Sequence, residues 1–456
     1  MAIEPARLPA PSGGNRQGRP AGFPSGIPPA SVPLSFLAAA SLGLVASGAA
    51  LVWSRAYGVV DPTDDRVVGA AHFAMLATLS MGVLGAIHQF APVITQRPLR
   101  SVWLSRATFL SWLAAAWLLP FGFAAQQELV VQTGGAFAAL AVILLVVNVS
   151  APLSVRGKGP PVAGLRLAIV GFIVTACYGI VYVIDRHGNW FDLSGHVVLA
   201  HAGVGLFAWL GLTYVSVAEK LWPMFLLAHV PGRRRSAWLA VWAVSSGALL
   251  LSPGLILGLL WLTWCGAAIL GVGLGAHLFS LVMHIRYRRR KADLHLLFVI
   301  TAAVWLVVGA ALALAAALTI GRHQHAGVAL VAAAVTAFSG WLLVALVGHA
   351  HKIVPFILWS ALRRRGVDKK ADGTRLMFAD LYDHRWAGVV YGLVTAGVAA
   401  VCLGFAASIS IAIAIGGGLF IVTGLCVAAN LSITPIRLRR APGADRLIRG
   451  EDPTTP

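Results

Sequence analysis

Apolar runs of roughly 20 residues recur along nearly the whole chain, broken by short polar or basic stretches. Each run is long enough to cross a bilayer core of about 30 Å. The pattern predicts twelve transmembrane helices, at 33–53, 69–95, 103–124, 132–154, 164–184, 196–218, 236–251, 254–284, 295–320, 326–360, 386–407 and 410–432. Only the weak breaker "SPG" at 252–254 parts the seventh from the eighth. Residues 1–32 are rich in Pro and Gly and read as a disordered cytoplasmic tail, and 437–456 read as a second one. The first apolar run is long enough to stay as an anchor, so no cleaved signal peptide is expected. A twelve-helix membrane domain over 33–436 remains between the tails.

Three of the spans share a register set by a proline. The second reads "GAIHQFAP" (85–92), the sixth "SVAEKLWP" (216–223) and the tenth "GHAHKIVP" (348–355). A small residue stands seven positions before each proline, and His88, Glu219 or His351 stands four before it. Four spans separate each of these helices from the next. The expected fold is therefore all-α and polytopic, with three four-helix units related by a pseudo-threefold axis.

Composition agrees with the pattern. The chain is 58% hydrophobic and 11% charged, against about 25% charged in soluble domains. A net charge of +19 invites a nucleic-acid reading, but the placement of the charges rejects it. With the N-terminus inside, the outer loops hold only Arg55, Arg66, Arg186 and Arg322, and Lys220 and Lys352 fall within spans. The other 29 of 35 basic residues lie on the inner side, which is the positive-inside pattern. The expected location is a bacterial inner membrane, multi-pass, with both termini cytoplasmic. The four cysteines, Cys177, Cys265, Cys402 and Cys426, fall in spans without a CxxC pair and read as packing residues.

The chemistry that stands out is histidine in the membrane. Neutral imidazole suits iron and copper, and ionisable groups inside a bilayer are functional candidates by default. His72 lies twenty residues before Pro92 and His201 twenty-two before Pro223. Both therefore fall near the outer face, with His72 about 24 Å from His88 along its helix. The plain alternative is two interfacial histidines bonded to backbone or water. The tenth span has Ala333 and Val335 at the matching positions. In the inner half, His349 and His351 point in nearly opposite directions, about 200° apart. Candidate metal or cofactor ligands are His72, His201, His349, His351 and His88. Glu219 and Lys352 are expected to neutralise each other in an inner polar cluster, because a lone charge at that depth is costly. His277 and His284 read as a solvated rim, and His295 as ordinary. No P-loop, HExxH or GxSxG motif is present.

These residues resemble subunit I of the haem–copper oxidase superfamily. The stretch "HFAMLATLSMGVLGAIHQFAPVI" (72–94) is similar to that family's second helix, in which His72 takes the place of a haem ligand. The NnrS group of haem- and copper-containing membrane proteins is at least as similar, with "ITQRPLRS" (94–101). The resemblance implies haem, of b type, with copper possible, and electron transfer or the handling of nitric oxide or oxygen. A quinone, a cytochrome or another redox protein would be the partner, and a homo-oligomer is open. The chain departs from the oxidases in two places. Their outer HxH on the tenth helix is absent, and the seventh, "SAWLAVWAVSSGALLLS" (236–252), has no histidine for copper. A complete terminal oxidase is therefore not expected. The alternative function is a transporter or a metal or cofactor assembly factor on the same scaffold, without redox chemistry.

Overall fold

The computed structural model describes residues 28–439 except 57, 59–60, 192–194, 233, 365, 368 and 371–372. The tails expected at 1–32 and 437–456 lie mostly outside the described residues. Twelve helices are long and apolar enough to cross a membrane. They are α1 (Ser31–Arg55), α2 (Asp65–Thr95), α3 (Val102–Ala124), α4 (Glu128–Leu153), α5 (Pro160–Arg186), α6 (Gly195–Leu226), α7 (Arg234–Ile256), α8 (Leu260–Arg286), α9 (Leu294–Thr319), α10 (Gln324–Arg364), α11 (His384–Ala406) and α12 (Ser410–Ser432). The chain is an all-α polytopic membrane protein. Large apolar side chains such as Leu110, Phe121, Leu260 and Phe279 stand in the open on its outer faces. Lipid tails accept such surface, and the helices satisfy their own backbone groups.

One boundary differs from the sequence reading. The "SPG" stretch does not part α7 from α8. Helix α7 continues through Ser252, Pro253 and Gly254, and the chain turns after Ile256, with Gly258 at φ +65°. Pro253 sits in the last turn, and its carbonyl accepts the Leu257 N–H at 2.9 Å. Gly254 is a packing residue, since a Cβ there would come within 2.6 Å of the Thr263 backbone nitrogen on α8. Small residues let membrane helices approach this closely.

The helices pack as three similar units. Pairs α3/α4, α7/α8 and α11/α12 form antiparallel hairpins, α1/α2, α5/α6 and α9/α10 pack likewise, and α12 closes the ring against α1. Helices α2, α6 and α10 meet at the centre. Trp209 on α6 donates its Nε1–H to Ser80 Oγ on α2 at 3.1 Å. Phe207 on α6 meets Phe338 on α10 edge-on at 4.8 Å, and Gly82 on α2 makes room for Leu346 on α10.

The small residue of each proline register has a physical role, because it marks where a central helix crosses the first helix of its unit. A Cβ on Gly85 would lie 2.6 Å from Phe36 Cβ on α1, and one on Gly348 would lie 2.4 Å from Phe298 Cβ on α9. In the middle unit the roles are exchanged. Ser216 sits on α6 and the glycine, Gly164, on α5, where a Cβ would strike Ser216.

Candidate cofactor site

The two outer histidines stand beside matching irregularities in their helices. Helix α2 begins at an N-cap in which Asp64 accepts the Arg66 N–H at 2.8 Å. It is α-helical to His72, π-helical over Phe73–Ser80, and α-helical again over Met81–Thr95. Helix α6 repeats this plan, with a π segment over Val204–Gly211 and an α segment over Leu212–Leu226. Both π segments have eight residues and both following α segments have fifteen. Pro92 and Pro223 hold the same place in those segments, each of which ends on a left-handed residue, Gln96 at φ 60° and Leu227 at φ 50°. Helix α10, which has Ala333 and Val335 where the other two carry a histidine, is α-helical throughout. A π turn holds an extra residue and occurs mostly at functional sites. Here it resets the direction in which the outer half of each helix faces.

Glycines press on both π segments at the same place. A Cβ on Gly43 of α1 would lie 2.1 Å from the Ala77 carbonyl oxygen, and one on Gly171 of α5 would lie 2.3 Å from that of Ala208. Trp112 of α3 donates its Nε1–H to the Leu76 carbonyl at 3.1 Å. The loosened backbone is thus held from outside as well as along its own helix.

This arrangement brings His72 and His201 together. Their ring centroids are 6.4 Å apart and the rings are within 20° of parallel. His72 Nδ1 donates to the Val68 carbonyl at 2.8 Å, which leaves Nε2 as the lone-pair nitrogen. Gly179 on α5 lets the His201 ring lie against the backbone, since a Cβ there would be 3.3 Å from Cε1. Phe123 flanks His72 at 5.1 Å and Tyr182 flanks His201 at 5.8 Å. Both rings are half-buried. Arg186 lies next to the pair by way of Phe123, a role the sequence did not suggest. It holds Asp65 through both carboxylate oxygens at 3.1 Å and Glu128 at 3.2 Å, and it lies 5.2 Å over Phe123.

The inner half does not form the single cluster expected. His88 stacks on Phe36 at 5.2 Å, and His351 stacks on Phe298 at 6.0 Å. Each therefore faces the first helix of its own unit. Glu219 accepts a hydrogen bond from Ser280 Oγ of α8 at 2.6 Å. Lys352 does not go to Glu219. Its Nζ reaches Asp293 Oδ2 at 2.5 Å, where Asp293 also caps α9 by accepting the Leu296 N–H at 3.2 Å. The cause is azimuth. Lys352 shares the depth of Glu219 but is turned toward the start of α9. Outside the spans, burial and then the Asp293 carboxylate push the Tyr382 phenol up to about 12, and its ring lies 6.2 Å from His351.

Three histidines that sequence reasoning set aside belong to this inner half. His277, His284 and His295 are buried. His295 meets His349 at 4.8 Å, and Trp222 covers His277 at 4.8 Å and His284 at 5.8 Å. One signal was available. His277 and His284 lie on the face of α8 that carries Gly266 and Gly273, and a Cβ on either glycine would strike the α7 backbone. A face that small is a packed face.

Among the described residues no group of three or more His, Cys, Asp or Glu converges as a shell for a metal ion. The outer pair thus offers two imidazoles. Of the other candidate ligands, His88, His349 and His351 each lie among different neighbours. No protein-family model matches the chain, and no curated protein is significantly similar to it.

Proposed function

We propose that the chain is a haem-binding membrane protein that moves electrons or handles a diatomic gas such as nitric oxide, and that His72 and His201 would hold the haem. The single observation behind this reading is the nearly parallel pair of imidazoles on neighbouring helices, with ring centroids 6.4 Å apart. Metal–imidazole bonds of about 2.0–2.1 Å on both sides, plus roughly a ring radius at each end, put opposed rings about 6 to 6.5 Å apart. The Nδ1 bond of His72 to the Val68 carbonyl is the support that metal-ligating histidines usually have. Haem brings its own equatorial nitrogens and asks two axial ligands of the protein, whereas a copper centre asks more than a pair. The donor set therefore favours haem over copper. With no CxxC pair present, it would be held without covalent attachment, as b-type haem is. When bound, haem supplies one-electron exchange. His72 and His201 would hold and orient it, Phe123 and Tyr182 would wall it, and Arg186 would cover its outer side.

The resemblance to haem–copper oxidase subunit I and the NnrS group supports the same reading. The pairing of α2 with α6, in place of α2 with α10, makes the chain a divergent member. Its electron partner would be a quinol or a cytochrome. The test is the optical spectrum and haem content of the purified protein. Six-coordinate haem bands are expected, with at least about 100-fold weaker retention in His72→Ala and in His201→Ala. Unchanged haem and metal content in both variants would sink the proposal.

The even-numbered helices end at the face that carries the basic loops, and we place that face in the cytoplasm of a bacterial inner membrane. Topology reporters after Gly366 and after Asp64 should report opposite sides, with Gly366 inside. A common side for both would overturn the orientation.

A further inference from the structure

A second feature of α2 lies on the flank away from His201. There α1, α2, α10, α11 and α12 line a half-open cavity of about 100 Å³. Its walls are mostly aliphatic and aromatic, with four hydroxyls, those of Ser47, Thr78, Thr336 and Ser339. Each hydroxyl has already given its proton to a helix carbonyl. Ser47 donates to Ala70 at 3.4 Å, Thr78 to Phe73 at 3.4 Å, Thr336 to Ala332 at 2.8 Å and Ser339 to Val335 at 2.6 Å. Their oxygens can still accept, but the wall around them is overwhelmingly apolar, and apolar cavities stay dry.

The cavity is built in and cannot easily collapse. On α2 it is lined by the short side chains of Ala70, Ala71 and Ala74, at the start of the π segment. On α10 it is bounded by Gly340, which is already pressed on Val398, since a Cβ there would lie 2.4 Å from the valine Cγ1. Helix α10 is therefore stopped against α11, and α2 is stopped against α1 by Gly43 and Ala77. A dry cavity of about 150 Å³ takes benzene or xenon, so this smaller one suits a diatomic molecule or one xenon atom better than a ring.

We infer that this cavity is a binding site for a small apolar molecule of diatomic-gas size, held beside α2 in the outer half of the membrane domain. The inference does not rest on the haem reading, because the cavity walls include neither His72 nor His201.

Xenon is the probe. Crystals of the full chain under xenon pressure should show one anomalous peak between Ala74 and Thr336. The peak should vanish in Ala74→Leu and in Thr336→Leu, which fill the cavity from opposite walls, and it should persist in Ser339→Ala. It should also persist in His72→Ala whatever that variant's haem content, so the two proposals fail separately. An absent peak in the unaltered protein, a peak retained in both filled variants, or a lipid or detergent chain lying in the cavity would each overturn the inference.

Discussion

Replacing Asp293 with asparagine is expected to destabilise the protein by about 2.5–3.5 kcal/mol, the insertion cost of a lone charge at membrane depth. The substitution is chosen because asparagine can still accept the Leu296 N–H and cap α9, so that only the charge is removed. The Lys352 side chain is 8% exposed and loses its only ion pair among the described residues. Asp293 itself is about a third exposed, which keeps the loss at or below the lower end of the roughly 3–5 kcal/mol typical of a fully buried pair. Lys352→Met should largely rescue Asp293→Asn, because the double variant leaves no unpaired charge. Glu219→Leu should combine additively with Lys352→Met to within about 0.5 kcal/mol, since the two residues share no bond. Thermal and denaturant unfolding in detergent would measure both cycles. Coupling between Glu219 and Lys352, or additivity between Asp293 and Lys352, would contradict the pairing described above.

Gly43→Ala and Gly171→Ala should each cost about 1–3 kcal/mol, the usual range for overpacking, and should also dissolve the histidine pair. The added methyl in either variant meets a backbone carbonyl, at 2.1 Å from Ala77 or 2.3 Å from Ala208. A side chain could swing away, but a carbonyl of the π segment can move only if the segment rewinds. Rewinding expels the extra residue, and one residue of an α-helix is about 100° of rotation. His72 or His201 would then face elsewhere. Gly388→Ala and Gly418→Ala are the controls, because a Cβ at either meets nothing, and they should be within about 0.5 kcal/mol of the parent. Haem content and unfolding midpoint together decide the matter. Loss of stability with an intact haem spectrum would show that the π segments do not aim the ligands.

The depth of each residue could be read from the sequence, but its direction could not. Apolar run length located all twelve helices, and the proline registers of α2, α6 and α10 singled out Gly85, Ser216 and Gly348, which only the structure shows to be helix crossings. Depth also put His72 and His201 at one level. Their meeting depends on the π segments, and "FAMLATLS" and "VGLFAWLG" look like any α-helical membrane sequence. Nothing in their composition announces an extra residue per turn. The same blindness to azimuth produced the wrong partner for Lys352. It also hid His295, which the Asp293 cap carries into the protein at the start of α9. At Pro253 the error came from reading proline as a break, where a membrane helix can absorb it near its end.

The bonds to Nδ1 decide what kind of base the buried histidines can be. His88, His349 and His351 each donate Nδ1–H to the carbonyl four residues back, at 2.7–2.8 Å, and each keeps a buried Nε2 with no hydrogen bond among the described residues. A carbonyl can only accept, so the helix itself fixes every one of these rings in a single tautomer. A ring that relays protons must take one at one nitrogen and release another from the second. These rings have the second nitrogen tied to an oxygen with nowhere to send it. Whatever reaches Nε2 must leave by Nε2, so His88, His349 and His351 can each store a proton or hold a donor, but none of the three can pass a proton from one ring nitrogen to the other.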